Sequence, residues 1–146
     1  MSRLWVKFIA IFLAIVIIDQ AIKQVFLSGF RWDGEFFSLI LTFNKGVAFS
    51  MFAFLGEHLK ALQAILLIAL FGYLLYEKKL LKAHTLPFAL LFGGGASNLL
   101  DRFIHGGVVD YIFWHKWFEF AVFNFADVMI NLAVFIMLIQ IFIHKK

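Results

Sequence analysis

Two carboxylates that meet away from water cannot both ionise easily, so one holds a proton that the pair shares. Such a pair does acid and base work together. The ionised member deprotonates a water while the protonated one hydrogen-bonds a peptide carbonyl as a tetrahedral diol forms. Asp110 and Asp127, 17 residues apart, are close enough along the chain to meet in this way. Other polar residues stand near them at helical spacing. Asn124, Asp127 and Asn131 fall at i, i+3 and i+7, and Asn98, Asp101, Arg102 and His105 at i, i+3, i+4 and i+7. Asp19 and Lys23, at i and i+4, are spaced to form an ion pair. Zero Cys excludes thiol catalysis, disulfides and Cys-based metal sites, and a carboxylate pair needs no metal or cofactor.

These residues belong to a chain that is 64% hydrophobic and 15% charged, with 21 Phe in 146 residues. A soluble domain runs nearer half apolar and a quarter charged. Too few polar side chains remain to cover a core in water, so the composition points to a small polytopic membrane protein. A helix crosses the hydrocarbon core with about 20 apolar residues. Four stretches qualify, at about residues 4–22, 59–76, 85–104 and 120–143. The third contains Pro87 and the triplet Gly93, Gly94 and Gly95, which reads as a packing face. The first lacks a small-residue cleavage site and is expected to be retained as an anchor. With no internal repeat or linker, residues 1–146 are expected to form one integral-membrane domain.

The bases set the orientation. Arg3, Lys7, Lys78, Lys79, Lys82, Lys145 and Lys146 lie in short segments on one side, against the single acid Glu77. That side is expected to be cytoplasmic, with both termini inside and two long loops outside. The fold class is therefore an all-α membrane protein of four transmembrane helices, with a small β-element in the first outer loop around residues 35–43. A second extended segment is expected at Val108-Val-Asp-Tyr-Ile-Phe-Trp114. Trp32, Trp114 and Trp117 fall on the outer side, as an aromatic belt would. At 1.5 Å per residue, Asp127 lies about 25 Å above the cytoplasmic end of its helix and Asp101 about 21 Å above Pro87. The polar groups thus converge near the outer edge of the bilayer. No basic run is interleaved with aromatics, so no nucleic acid is expected as a partner.

Four segments carry a resemblance: Asn44-Lys-Gly-Val-Ala-Phe-Ser50, Gly94-Gly-Ala-Ser-Asn-Leu-Leu-Asp-Arg102, Gly107-Val-Val-Asp-Tyr111 and Phe123-Asn-Phe-Ala-Asp127. In that order and spacing the chain resembles bacterial signal peptidase II, a family of intramembrane aspartic peptidases. The resemblance implies that Asp110 and Asp127 are the catalytic aspartates. It implies that Asn44, Gly46, Asn98, Arg102, Asn124 and Ala126 shape the site or hold the substrate backbone, and that Asp19 with Lys23 matches a polar pair ending the first span. It further implies cleavage of diacylglyceryl-modified prolipoproteins just before the lipidated Cys, at the periplasmic side of the inner membrane. Membrane lipid is the other expected partner, and the enzyme is expected to act as a monomer. The chain departs from the family at Tyr111, Phe113 and Ala121. The loop over residues 36–54 would cradle the substrate.

Rival chemistries stay open at this point. Ser50 with Lys45 offers a Ser/Lys dyad, and His105, Asp110 and His115 offer a metal site. Asp19–Lys23, Asp101–Arg102 and Asn131 also fit plain packing hydrogen bonds and interface anchors. A non-enzymatic alternative is a small ion- or proton-coupled membrane carrier using intramembrane carboxylates, although carrier sites lie near the midplane. A lipid-binding scaffold would explain the aromatic loop but not two carboxylates in separate motifs.

Overall fold

A computed structural model describes residues 2–46 and 51–144. Helix α1 spans Ser2–Leu27, followed by strands β1 (Trp32–Asp33) and β2 (Phe37–Asn44) and a 3-10 turn at Ala53–Leu55. Helices α2 (Glu57–Tyr76), α3 (Lys78–Ala83) and α4 (Thr85–His105) come next, then β3 (Val108–Trp114) and α5 (Phe125–His144).

Helix α4 is the centre of the bundle. Its residues from Thr85 to Asp101 are mostly buried, including Phe88, Ala89, Leu90, Phe92, Ser97 and Asn98. The glycine triplet was expected to make one packing face, but consecutive helical residues point about 100° apart. Each glycine instead meets a different neighbour. A Cβ on Gly93 would lie 2.8 Å from Ile15 Cβ of α1, and one on Gly94 would lie 2.6 Å from the Ala126 carbonyl oxygen of α5. A Cβ on Gly95 would meet only the flexible end of Leu67 on α2, at 3.1 Å. The three helices around α4 can therefore approach its backbone closely.

Arg3–Leu27, Glu57–Tyr76 and Phe125–Ile143 are long and apolar enough to cross a membrane. Helix α4, expected as the third span, is not among these three, because its glycines and its polar Asn98, Asp101 and Arg102 dilute its apolar character. It is covered by protein where the other three display Val6, Ile17, Ile68 and Phe142 outward. Facing α4, α1 buries one stripe, Phe8, Ile15, Asp19, Lys23 and Phe26. The stripe is apolar at Phe8 and Ile15 and charged further on, at Asp19 and Lys23, so one end of the bundle has a hydrocarbon core and the other a polar one. Phe8, Leu74, Leu81, Phe88, Ala89 and Phe92 fill the first.

The expected β-element is one part of a three-stranded antiparallel sheet ordered β1-β2-β3, which joins segments expected in separate loops. A register shift between Leu39 and Thr42 puts Thr42 opposite Asp110 and Asn44 opposite Val108. Asn44 and Asp110 are then diagonal neighbours on one face of the sheet. The last expected span, helix α5, begins at Phe125 rather than near residue 120, because Phe123 bridges Ile112 of β3 and the chain enters the helix only afterwards.

Gly94→Ala should cost about 1–3 kcal/mol in detergent unfolding, since its clash is with backbone. Gly95→Ala, which meets a side-chain end, should cost much less. Equal melting of the two variants would contradict the packing described.

Candidate active site

The polar end of the bundle is built around Lys23. Its ammonium donates to Asp19 Oδ2 at 2.6 Å, to Asp101 Oδ2 at 2.6 Å and to Asn98 Oδ1 at 2.9 Å. An ammonium has three donors, and all three are used. Lys23, Asp19 and Asp101 are 1% exposed or less. The expected Asp19–Lys23 pair is present, with Asp101 as a second counter-ion from α4. Arg102 does not pair with Asp101. It points the other way, donating through Nε to Gln63 Oε1 at 2.9 Å and through Nη1 and Nη2 to the carbonyls of Lys45 and Gly46. Arg102 therefore ties the turn after β2 to α2 and α4.

The start of α5 is the second construction. The first N–H groups of a helix have no partners inside it. Here each is met by a side chain. Phe125 N–H donates to Tyr111 Oη at 3.0 Å, Ala126 N–H to Asp19 Oδ1 at 2.9 Å and Asp127 N–H to Asn124 Oδ1 at 2.9 Å. Asp127 Oδ2 in return accepts from Asn124 N–H at 3.1 Å, which closes a capping box. Asn124 is thus the N-cap, not a member of the helical face with Asp127 and Asn131. Asn131 is exposed and donates to the Asp127 carbonyl at 2.9 Å. Ala126 has no exposed surface because Gly94 lies against its carbonyl.

Asn124 joins the two halves of the site. Its amide donates to Asp110 Oδ1 at 2.7 Å and to Asn98 Oδ1 at 3.0 Å, while Asn98 Nδ2 donates to Asp127 Oδ1 at 2.8 Å. Asp110 Oδ2 also accepts from Asn44 Nδ2 at 3.2 Å, and Asn44 Oδ1 receives Gly46 N–H at 2.9 Å. Burial, and then the charge of Asp127, push the Asp110 carboxyl up from 3.8 to about 7. Burial also raises the Tyr111 phenol, which stacks on Phe26 at 4.1 Å and stays neutral. A cavity of about 220 Å3 opens at Thr42, Asn44, Asp110 and Val122, and one of about 410 Å3 at Phe123, Asp127, Asn131 and Phe135. Phe120 lines both.

The structure brings Asp110, Asp127, Asn98, Asn124 and Asn44 into one network. It parts the proposed metal ligands. His115 bonds Ser38 through Nε2 at 2.9 Å, and His105 packs beside Phe43. Among the described residues no three His, Asp or Glu side chains gather as a metal site. Ser50 lies outside the described residues, and Lys45 is exposed. Three site residues were not anticipated. Gln20 Nε2 donates to Asp101 Oδ1 at 2.8 Å, Ser97 Oγ donates to Asp19 Oδ2 at 2.7 Å, and Gln63 holds Arg102. Each is an uncharged polar residue in or beside an apolar run. Extending the cost of buried charge to amides and hydroxyls would have found them.

A helical bundle of this shape is an architecture already known among membrane proteins. Two solved structures, each described as a bacterial membrane enzyme, share it. One matches with a TM-score of 0.82 at 24% identity over 96% of this chain and 90% of its own, the other with 0.78 at 25% identity over 92% of each. The family profile for Signal peptidase (SPase) II matches residues 11–143. Proteins named lipoprotein signal peptidase from Wolinella succinogenes and Campylobacter jejuni are 54% and 51% identical, over 94% and 97% of this chain and 94% and 88% of theirs. One from Helicobacter acinonychis is 52% identical over 95% of this chain and 88% of its own. The chain belongs to the signal peptidase II family, and it is a membrane peptidase.

Lys23→Met should lower stability by about 3–5 kcal/mol, because two buried carboxylates lose their counter-ion. Denaturant unfolding in micelles measures this. A change under about 1 kcal/mol would show that the ammonium is not what holds the site together.

Proposed function

We propose that this chain is an aspartic endopeptidase that removes signal peptides from diacylglyceryl-modified prolipoproteins, cutting N-terminal to the lipidated Cys, with Asp110 and Asp127 as the catalytic pair. The observation that carries the reading is Asn124, one residue bonded to both carboxylates. The family membership supports the substrate class, and the carrier alternative finds no support in it.

The surroundings of the two aspartates favour different roles. Asp127 sits in the first turn of α5, where the positive end of the helix dipole favours an anion, and it accepts bonds from Asn98 and Asn124. Asp110 is buried and titrates near 7, so it is the member that keeps the shared proton. A water between them gives a proton to Asp127 as its oxygen adds to the scissile carbonyl carbon. The Asp110 proton is donated to the carbonyl oxygen, forming the diol. As the diol collapses, the C–N bond breaks and Asp127 passes its proton to the leaving amide nitrogen of the lipidated Cys. Asp110 takes back a proton from a diol hydroxyl, which leaves the carboxylic acid product and restores the pair. Diacylglyceryl chains would lie in the cavity along α5, against Phe123, Leu132 and Phe135, and the peptide beside Thr42, Asn44 and Val122.

Four spans, α1, α2, α4 and α5, would cross the inner membrane as a single domain, active as a monomer. The bases at Arg3, Lys7, Lys78, Lys79 and Lys82 support cytoplasmic termini, which would set the sheet and the aspartates on the periplasmic side. Asn44, Gly46 and Arg102 would shape the substrate channel. Their bonds to one another and to Asp110 support that role. The loop expected to cradle substrate lies partly outside the described residues, at positions 47–50.

Asp110→Asn and Asp127→Asn should each lower cleavage of a diacylglyceryl-modified peptide by at least about a thousandfold with little change in melting. Substantial residual cleavage by either variant would falsify the dyad. The pH profile tests the roles. Asp110 acts in its protonated form, which is present below about pH 7 and lost above it. The rate should therefore fall up to about tenfold per pH unit on that side. A rate that keeps climbing well past that value would reverse the assignment.

A further inference from the structure

The chemistry above uses one end of the bundle. At the other end, α1 begins and α3 runs as Lys-Lys-Leu-Leu-Lys-Ala from Lys78 to Ala83. Between them lies a hollow of about 440 Å3. Arg3, Lys78, Lys79 and Lys82 stand around it, and all four are exposed. Its wall is apolar: Leu4, Trp5 and Leu81 line it. Leu81 is 2% exposed and packs into the apolar core, and Trp5 is held edge-on by Phe8 and Phe71 at 5.8 and 6.1 Å. The hollow is therefore a built feature and not a gap between loose side chains.

Its charge is unbalanced. Among the described residues none of the four cations makes an ion pair, and Glu77 is the one acid in either segment. Four cations about one concavity repel one another and focus a positive potential that an anion relieves. A small anion would satisfy the charge but not the apolar wall. α3 has the pattern of a short helix lying in the interface, its leucines turned in and its lysines out, which puts the hollow at headgroup level. We infer that this hollow binds an anionic glycerophospholipid of the leaflet opposite the aspartates, its phosphate held by Arg3, Lys78, Lys79 and Lys82 and an acyl chain seated against Leu4, Trp5 and Leu81. Basic pockets of this kind between membrane helices take anionic headgroups. The site is separate from the peptidase chemistry and does not rest on it.

Native mass spectrometry of the full chain, released from micelles holding equal phosphatidylglycerol and phosphatidylcholine, tests the inference. The wild type should retain phosphatidylglycerol preferentially, and K78Q/K79Q/K82Q should lose that preference. Because three such changes also alter topology signals, K79Q and K82Q are made singly. Each should lower phosphatidylglycerol retention roughly fivefold. K78R/K79R/K82R should keep wild-type retention, and melting in phosphatidylcholine micelles checks that every variant is folded. Equal retention of the two lipids by the wild type overturns the site, as does undiminished retention by the folded glutamine variants. Displacement of the lipid by millimolar inorganic phosphate would overturn the lipid as ligand and leave a phosphate site.

Discussion

An ammonium taken out of water must find an anion or lose much of the stability of the fold, because an unpaired buried charge is costly. Lys23 satisfies this with Asp19 from its own helix and Asp101 from α4. The rest of the site depends on that arrangement, since each of these carboxylates has a second task. Asp19 receives the Ala126 N–H and so holds the start of α5. Asp101 receives the Val109 N–H at 3.1 Å and so holds the strand that carries Asp110. One charge thus fixes both elements that bear the two aspartates, from helices that carry neither.

The membrane sharpens this constraint. A helix that begins inside a bundle has no water to meet its first N–H groups, so the bundle must supply acceptors. Tyr111, Asp19 and Asn124 do so for α5. The result is that Asp127, as a capping residue, is held at both oxygens before any substrate arrives. Rigid placement of a buried carboxylate is usually a cost borne elsewhere in a fold. Here the same bonds that end the helix also orient the carboxylate.

Much of this could be read from residue types. Asp110, Asp127, Asn98 and Asn124 declare themselves because polar residues are rare in so apolar a chain, and Asp19 with Lys23 follows from i,i+4 spacing. What could not be read depends on tertiary pairing. The β2–β3 register and the shift that sets Asn44 diagonal to Asp110 join residues some 66 apart in sequence, which no local pattern encodes. The glycine triplet was legible as packing but not as contact with three helices, since that requires knowing α4 is central. Periodicity misplaced Asn124 on a helical face for a related reason. An N-cap shares the spacing of the helix it starts, and only the bridge from Phe123 to Ile112 reveals the boundary.

The direction of the hydrogen bonds explains why two asparagines are needed and why aspartate would not serve. An ammonium only donates, so Asn98 must turn its oxygen to Lys23, which leaves its NH2 facing Asp127. The same oxygen accepts from Asn124, so the Asn124 NH2 is also fixed in direction and is delivered to Asp110. Its own oxygen is then free to accept the Asp127 N–H. Orientation therefore propagates from Lys23 through two amides to both carboxylates. An Asp at either position would remove the NH2 donor and add a third anion beside the pair. An Ala would leave buried acceptors unmet, at about 1–3 kcal/mol for each. The amide is the side chain of this size that both accepts from a fixed donor and donates to a fixed anion. A buried lysine that bonds neither Asp110 nor Asp127 can thereby set the geometry in which those two carboxylates are held.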